Sequence, residues 1–298
     1  MNIKKRSTTI AALGMVSALA LSACGGSGES STAGAETQEM TIGVFNGWPE
    51  GEAVSELWRA ILEEKGYDVT LEYADAGPAF TGLASGDYDA VLDVWLPLTH
   101  ESYIEEFGDD ITELGAWNDE ALLTIAVNED APIDSLEELA ANADAFDNRL
   151  VGIEAGAGLT KATTEQVIPT YGLEEMEYLT SSTPAMLSEL QTKLAAGENV
   201  AVTLWRPHWA YDEFPIKDLE DPEGTLGDAE SIYSYGSSTF KEDFPEAAEW
   251  LANFTMDSET LYSLENAMFN SGEETEDYAP IVEEWISENQ EWVDGLTS

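Results

Sequence analysis

The sequence predicts an α/β protein built from two doubly wound lobes, and three observations support this prediction. Short apolar runs of strand type alternate with segments of helical periodicity, which is typical of parallel sheets covered by helices. The alternation occurs twice, with a polar break between the two series at residues 128–132. The length of 298 residues also lies near the limit of about 250–300 residues at which single hydrophobic cores stop growing.

The first series contains three strands and two helices. Apolar side chains recur at helical spacing after Ala53, and Gly66 ends that helix. The alternation of apolar and polar residues on either side favours strands. The strands are predicted at residues 40–45, 68–73 and 90–95, and the helices at residues 53–64 and 78–84.

The second series begins with a capped helix at Ser135, and the chain ends in a helical tail from Pro245. We expect this tail to pack back on the first lobe. The predicted bounds are therefore residues 40–122 and 228–298 for lobe 1 and residues 123–227 for lobe 2. The elements of the second series are strands at residues 150–153, 176–180 and 200–204 and helices at residues 160–168 and 184–195.

The charge balance excludes partners that carry dense negative charge. The chain has 60 Asp and Glu residues against 11 Lys and Arg, which gives a formal net charge of −49. Such a surface repels phosphate backbones, so the sequence predicts no nucleic-acid partner. Disorder is not expected, because 43% of the residues are hydrophobic and can form a core. An acidic, lysine-poor coat suits a protein that is exposed to concentrated salt.

The N-terminal residues are expected to serve export rather than folding. A basic start and an apolar stretch too short to span a bilayer predict a signal peptide at residues 1–23. The run from Leu21 to Cys24 resembles a bacterial lipobox, in which the cysteine is lipidated; an ordinary signal peptide is the alternative. Cys24 is the only cysteine, which excludes an internal disulfide. Residues 24–39 are predicted to form a flexible tether, so we expect an extracytoplasmic protein anchored to the cell membrane.

Three tryptophans fall at or just after the end of a predicted strand, namely Trp48, Trp95 and Trp205. In a doubly wound sheet this edge is where ligands bind. Packing is the alternative role for each indole taken singly. Three indoles at one edge favour an aromatic box for a quaternary ammonium, which has no N–H to donate and must be held by cation–π attraction and dispersion.

A glycine-rich turn at residues 152–160 links a predicted strand to a predicted helix. Free backbone N–H groups at such a helix start can bind a phosphate or a carboxylate. The turn lacks the arrangement of a P-loop and has no acidic partner of a dinucleotide site. A tight turn without a ligand is the alternative interpretation of this motif.

Residues that commonly carry catalysis or bind metals are scarce. His100 and His208 are the only histidines, and a zinc site without an available cysteine would need carboxylate ligands. The sequence has no G-x-S-x-G or H-E-x-x-H motif. We therefore predict no catalytic residue, no metal and no cofactor. An extracytoplasmic enzyme or metal carrier on the same scaffold is the competing class.

Seven ordered segments make residues 40–298 resemble the substrate-binding proteins of glycine betaine/proline betaine ABC transporters, in the group related to the choline binders. The most specific part is the pairing of a W-L-P-x-T-H segment with a W-x-P-H-W segment. The segments are Gly47-Trp48, residues 72–78, residues 95–100, Gly152-Ile153 with residues 156–158, residues 181–186, residues 205–209 and residues 219–222.

The resemblance implies a type II periplasmic-binding-protein-like clamp, whose lobes close on a betaine in the cleft between them. Trp48, Trp95 and Trp205 match the family's prism around the trimethylammonium group. The clamp would capture glycine betaine, or proline betaine, and deliver it to an ABC permease and its ATPase for osmoprotection.

The resemblance also implies how the ligand's carboxylate is held, by the backbone N–H groups of Gly158 and Leu159 and by the side chain of His100. Residues 122–129 lack the Val-Pro-x-Tyr expected there, and choline binders use a nearby tyrosine as an extra wall. Glycine betaine is therefore favoured, and a choline- or carnitine-type binder is the alternative. Since none of these contacts is Asp or Glu, we expect the negative charge to lie on the solvated surface and outside the pocket.

Overall fold

A computed structural model describes residues 38–271, 275 and 277–298 of the chain. The predicted signal peptide at residues 1–23, the lipidation site Cys24 and nearly all of the predicted tether at residues 24–39 lie outside the described residues. The last two tether positions, Gln38 and Glu39, are instead the first residues of a strand. Within the described part, no helix is long and apolar enough to cross a membrane.

The described residues form strands and helices that alternate along the chain. The strands are β1 (Gln38–Phe45), β2 (Tyr67–Ala74), β3 (Ala90–Leu96), β4 (Ile111–Asn128), β5 (Arg149–Val151), β6 (Glu177–Leu179), β7 (Ala201–Arg206), β8 (Ile216–Asp218) and β9 (Glu230–Ser237). The α-helices are α1 (Pro49–Glu64), α2 (Ala76–Ser85), α3 (Glu101–Phe107), α4 (Leu136–Leu139), α5 (Gly158–Ala162), α6 (Ile168–Tyr171), α7 (Thr183–Ala196), α8 (Ala210–Glu213), α9 (Phe240–Asp243), α10 (Pro245–Asn253), α11 (Ser258–Phe269), α12 (Ala279–Glu288) and α13 (Gln290–Gly295). A 3-10 segment (Ala140–Phe146) follows α4, and a π-helical segment (Thr163–Val167) joins α5 to α6.

The strands form a nine-stranded mixed sheet with the order β2-β1-β3-β9-β4-β7-β5-β6, and β8 pairs with β4. In the first series, β1 lies between β2 and β3 and is parallel to both. In the second series, β5 is parallel to both β6 and β7. The predicted α/β class with two strand series is therefore confirmed.

The middle of the sheet differs from the predicted parallel arrangement, because β4 and β9 run antiparallel to their neighbours. The first part of β4 pairs with β9 as far as Ala121, and its second part pairs with β7 from Leu122. Register shifts interrupt the β4–β9 ladder at three places, so this stretch lacks the regular alternation from which strands are predicted. The predicted lobe bounds at residues 40–122, 123–227 and 228–298 stay a prediction.

Helix α1 begins four residues before its predicted start at residue 53. Pro49 occupies its first turn, where the missing N–H has no helical partner to lose. The C-terminal helices α11 and α12 pack on α1, as the sequence predicts for the tail. Between α10 and α11, Phe254 meets Trp58 of α1 edge-on, with ring centroids 5.3 Å apart. The packing fixes the N-terminal turn of α1, which lies at the end of β1.

The helix predicted at residues 160–168 is a longer helical stretch with a π-helical middle. It begins at Gly158 and ends where Gly172 adopts the left-handed conformation. Pro169 lies just after the π-helical segment, and its missing N–H removes one regular helical hydrogen bond there. The start of α5 follows directly from the glycine-rich turn.

Candidate ligand-binding site

A cavity lies where strand ends from both series meet. Trp48 follows the end of β1, while Trp95 and Trp205 lie next to the last residues of β3 and β7. All three indoles line the cavity, so the structure brings together the three tryptophans that the sequence singled out. We refer to them as the indole cage. The other lining residues are Glu50, Thr99, Leu123, Ile153, Ala157, Gly158 and Leu159.

Packing against other rings fixes two walls of the indole cage. Trp48 meets Phe45 edge-on with ring centroids 4.9 Å apart, and it stacks on His100 at 5.6 Å and an interplanar angle of 17°. Trp205 meets His208 edge-on at 4.8 Å, so His208 supports the cage. The rings of Trp48 and Trp205 are 6.4 Å apart at 63°, and they form adjoining walls at a steep angle.

Two buried acidic residues lie at the indole cage. Asp93 Oδ1 accepts a hydrogen bond from Trp95 Nε1 at 2.7 Å. Glu50 lines the cavity, and the nearby indole N–H of Trp205 favours its ionised form. The expectation that Asp and Glu residues lie outside the pocket was therefore wrong, because Glu50 is a lining residue. Glu50 reaches the cavity because it lies in the first turn of α1, two residues after Trp48.

Burial controls the protonation of these two carboxyl groups. Desolvation raises the pKa of Glu50 to about 8, although the N–H of Trp205 opposes the shift. Burial also raises the pKa of Asp93 well above its ordinary value, and the negative charge of Glu50 adds to this effect. A carboxyl group in such surroundings is more stable in its neutral form. Glu50 is therefore mostly protonated at neutral pH.

The glycine-rich turn brings a helix start to the cavity. Helix α5 begins at Gly158, no side chain caps its first turn, and both Gly158 and Leu159 line the cavity. A Cβ atom at Gly158 would lie 1.9 Å from the carbonyl oxygen of Thr99, so only glycine permits this close approach. Since the first N–H groups of a helix have no helical acceptor, an anionic group in the cavity can accept hydrogen bonds from them.

His100 lies beside the indole cage and is not among the residues that line the cavity. Its ring is fully buried, and its Nδ1 accepts the backbone N–H of Trp95 at 2.9 Å. Burial lowers the pKa of His100 to about 3, so the imidazole is neutral at neutral pH and carries its proton on Nε2. Among the described residues Nε2 has no hydrogen-bond partner. The Nε2–H group can therefore donate a hydrogen bond to a ligand that comes within reach.

Thr99 is a lining residue that the sequence analysis did not single out. The buried carboxylate of Glu230, at the start of β9, holds the turn that carries it. Glu230 Oε2 accepts the N–H groups of Leu98 at 2.6 Å and of Thr99 at 2.9 Å, and the Thr99 hydroxyl donates to Oε1. Its position between Trp95 and His100 in one motif could have indicated that Thr99 lies at the cavity. This carboxylate fixes the turn between β3 and α3 at the cavity.

The two strand series touch each other around the cavity. Trp48 Nε1 donates to Glu154 Oε2 at 3.4 Å, and the same carboxylate accepts the backbone N–H of Thr183 at 2.7 Å. On another side the Tyr103 hydroxyl donates to the carbonyl oxygen of Gly156 at 2.9 Å. The cavity is therefore bordered by residues from both series.

These features define a ligand-binding protein whose site lies between two strand series. Part of the cavity wall is aromatic and another part is a helix start, which suits a small ligand with two unlike ends. Within the described residues, no group of three or more His, Cys, Asp or Glu side chains could hold a metal ion. The chain belongs to the family of substrate-binding domains of ABC-type glycine betaine transport systems, whose model matches residues 38–288. This is a family of extracytoplasmic transport proteins and not an enzyme family.

Three relatives illustrate the similarity. The glycine betaine/carnitine transport binding protein GbuC of Listeria monocytogenes is 34% identical over 172 residues, which cover 56% of this chain and 55% of that protein. The chain therefore spans about half the length of this curated relative. Lactococcal OpuAC, in its closed conformation complexed with glycine betaine, has a TM-score of 0.80 and 25% identity over 88% of this chain and 100% of its own. ProX of Borrelia burgdorferi, a glycine betaine/L-proline-binding protein, has a TM-score of 0.80 and 28% identity over 88% of this chain and 97% of its own. These similarities confirm the predicted type II clamp fold.

We predict that Glu230→Gln lowers the free energy of unfolding by about 1–3 kcal/mol. The amide oxygen of glutamine can still accept the N–H groups of Leu98 and Thr99, but these hydrogen bonds lose the negative charge of their acceptor, and the amide NH2 group then faces the Thr99 hydroxyl that now donates to Glu230. Urea denaturation measures the change as a lower midpoint at an unchanged slope. The control is Glu242→Gln on α9, which is exposed and should change stability by less than about 0.5 kcal/mol. Equal stability of the two variants would contradict the role given to Glu230.

Proposed function

We propose that the protein captures glycine betaine in this cavity and delivers it to an ABC permease driven by an ATPase, for osmoprotection. The observation that carries the proposal is the placement of three indoles around a cavity that also receives the start of α5. The ligand suited to such walls is a zwitterion with an apolar cationic end and an anionic end. Glycine betaine has this form, and it is the ligand named for the family and for the solved OpuAC complex.

The indole cage takes the trimethylammonium group of the ligand. This group has no N–H to donate, so its affinity comes from cation–π attraction and dispersion. Each indole face contributes about 0.5–2 kcal/mol when the contact is desolvated. The three indoles are 3–7% exposed, which meets that condition.

The start of α5 takes the ligand's carboxylate. The backbone N–H groups of Gly158 and Leu159 lie at the cavity and have no helical acceptor. The neutral His100 supplies a further donor at Nε2 when the carboxylate comes within reach of its ring. Charge-assisted hydrogen bonds of this kind are about twice as strong as neutral ones. They also select against a ligand that ends in a neutral group.

Ligand entry requires the two strand series to separate. The carbonyl oxygen of Thr99 lies against Gly158, and the Tyr103 hydroxyl bonds to Gly156 across the cavity rim. These contacts belong to the closed arrangement. The protein therefore opens as a hinged clamp and closes when a ligand replaces water between the indoles.

Attachment to the cell membrane is part of the proposal. A lipid on Cys24 would hold the binding domain near its permease, with residues 24–37 as a tether. This part rests on the lipobox pattern in the sequence.

Carnitine is the second candidate ligand, because the Listeria relative is a glycine betaine/carnitine transport binding protein. Carnitine has the same quaternary ammonium and carboxylate groups as glycine betaine, separated by a longer chain. Proline betaine carries these two groups on a ring. Choline fits less well, since it lacks a carboxylate and would leave the N–H groups of α5 without a charged acceptor.

We predict that replacing Trp48, Trp95 or Trp205 by Ala weakens glycine betaine binding about tenfold each. The loss of one cation–π wall corresponds to about 1.4 kcal/mol. Isothermal titration calorimetry at neutral pH measures the affinity, and thermal unfolding of the free variants shows whether they fold.

The matched control is Trp250→Ala, which removes an indole that packs on Tyr67 at 6.5 Å between ring centroids, away from the cavity. This variant should lose stability and keep its affinity for glycine betaine. Unchanged affinity in two of the three cage variants would contradict the assignment of the cage.

We predict that Gly158→Ala weakens glycine betaine binding at least tenfold, because the added Cβ would collide with the carbonyl oxygen of Thr99 in the closed arrangement. Gly156→Ala is the control in the same turn. Its Cβ would lie 3.5 Å from the Tyr103 hydroxyl oxygen, an ordinary contact, so calorimetry should find an affinity within about threefold of the wild type. Equal effects of the two variants would show that closure does not depend on Gly158.

A further inference from the structure

Three carboxyl groups are buried next to the indole cage, and we call them the acidic cluster. They are Glu50 on α1, Asp93 on β3 and Glu265 on α11, with exposed fractions of 1%, 2% and 0%. Glu50 lines the cavity itself. The three groups interact electrostatically, since the charge of Glu50 raises the pKa of both other carboxyls and Glu265 adds to the shift of Asp93.

The acidic cluster has few hydrogen-bond donors. Asp93 Oδ1 accepts the indole N–H of Trp95 at 2.7 Å. Within the described residues, Glu50 Oε2, Asp93 Oδ2 and both carboxyl oxygens of Glu265 make no hydrogen bond of standard geometry. Asp93 also lies directly under α1, because a Cβ atom on Gly51 would be 2.5 Å from Oδ2. The carboxyl groups are therefore held in place by packing rather than by donors.

The surroundings supply no positive charge to the acidic cluster. In the described part of the chain no salt bridge includes any of its members. Facing Glu265 are the carboxylate of Asp212, the backbone N–H of Trp209 and the phenol of Tyr262.

The cations and histidines nearby do not change this balance. Arg206 lies near Tyr262, and its guanidinium pairs with Asp218 at 2.7 Å. Burial lowers the pKa values of His100 and His208 to about 3, so both rings are neutral at neutral pH. Trp205 faces Glu50 with its indole N–H, which is a dipole and not a charge.

Three neighbouring carboxyl groups in such surroundings cannot all ionise, because each negative charge would be desolvated and would repel the others. In the free protein the acidic cluster therefore holds protons at neutral pH. A cation placed between the indoles would instead favour the ionised form of Glu50, because Glu50 lines the same cavity.

We propose that a quaternary ammonium entering the indole cage expels a proton from the acidic cluster, so that Glu50 becomes its counter-charge. The inference rests on the proposed placement of the ligand's ammonium group in the cage. The carboxylic acid of Glu50 loses its proton to water, and the resulting carboxylate faces the ammonium. Glu50 thereby distinguishes a cationic headgroup from a neutral one of the same shape.

The ligand cannot be the source of this proton. The quaternary nitrogen of glycine betaine carries no proton, and its carboxylate is already ionised at neutral pH. His100 is neutral before binding, since burial keeps its pKa near 3. A proton released between pH 6 and pH 8 therefore comes from a carboxyl group of the protein with a raised pKa, and Glu50 is the one that lines the cavity.

The sign of the pH dependence follows from linkage. Because the free protein holds more protons than the complex, affinity for glycine betaine rises as pH increases toward the raised pKa of Glu50, about 8. For release of 0.5 to 1 proton, the affinity should rise roughly three- to tenfold from pH 6 to pH 7 and level off above the pKa.

The experiment is calorimetric titration of the full folded chain with glycine betaine at pH 7, in phosphate and in Tris. These buffers differ in ionisation enthalpy, so the difference between the two heats gives the number of protons released. We expect roughly 0.5 to 1 proton per ligand for the wild type. Glu50→Gln should release almost none and bind with an affinity that approaches the wild-type value at pH 6.

Glu52→Gln is the matched control on the same helix. Burial raises the pKa of Glu52 to about 7, but this residue does not line the cavity, so the variant should release as many protons as the wild type. If Glu50→Gln does not fold, Glu50→Met replaces it, because methionine has a similar length and no titratable group, and this variant should also release almost no proton and show a flat pH dependence.

The outcomes separate the proton linkage from the proposed function. Tight binding of glycine betaine with equal heats in both buffers and an affinity independent of pH would overturn the linkage and leave the binding function intact. Proton release by Glu50→Gln equal to that of the wild type would also overturn it. Failure of the wild type to bind glycine betaine at any pH would instead overturn the proposed function.

Discussion

The pairing of β4 with one strand from each series is the interaction on which the binding site depends. Its first part lies against β9 and its second part against β7, so a single strand places the two series side by side. Only then do the ends of β1, β3 and β7 meet at one cavity. Each half of the sheet alone would present one or two indoles to water, and no enclosed cage would form.

Enclosure also sets the electrostatics of the site. The chain carries a net charge of −49, yet the carboxyl groups at the cavity are buried and hold protons rather than charge. The outer acidic residues are solvated and repel other polyanions, whereas Glu50 and Asp93 respond to what occupies the cavity. One residue type therefore serves two purposes, and burial determines which purpose a given carboxyl group serves.

Much of the fold could be predicted from sequence, because β1, β3, α2 and α7 follow simple apolar periodicities between glycine and proline boundaries. The three strand-end tryptophans could be predicted as a group for the same reason. Strands β4 and β9 could not, because register shifts break their alternation and their partners are distant in sequence. The tryptophans of the family motifs could be recognised because this residue type is rare, and the glycines because three of them fall close together at residues 152–158.

The acidic residues of the site could not be identified from the sequence, because acidic residues are abundant in this chain. With 60 Asp and Glu residues in the chain, nothing in the sequence distinguishes Glu50, Asp93 or Glu230 from carboxylates on the surface. Their importance comes from burial, and burial of Glu50 follows from the contact of α1 with the C-terminal helices. The burial of these carboxyl groups is therefore evident only from the three-dimensional structure.

The central claim is that the indole cage recognises a positive charge and not merely a trimethyl shape. The direct measurement compares the affinity of glycine betaine with that of 3,3-dimethylbutanoate, which keeps the shape and the carboxylate but has carbon in place of the quaternary nitrogen. At pH 8, calorimetry should find glycine betaine bound at least tenfold more tightly, a difference of about 1.4 kcal/mol or more. Equal affinities for the two ligands would contradict the claim.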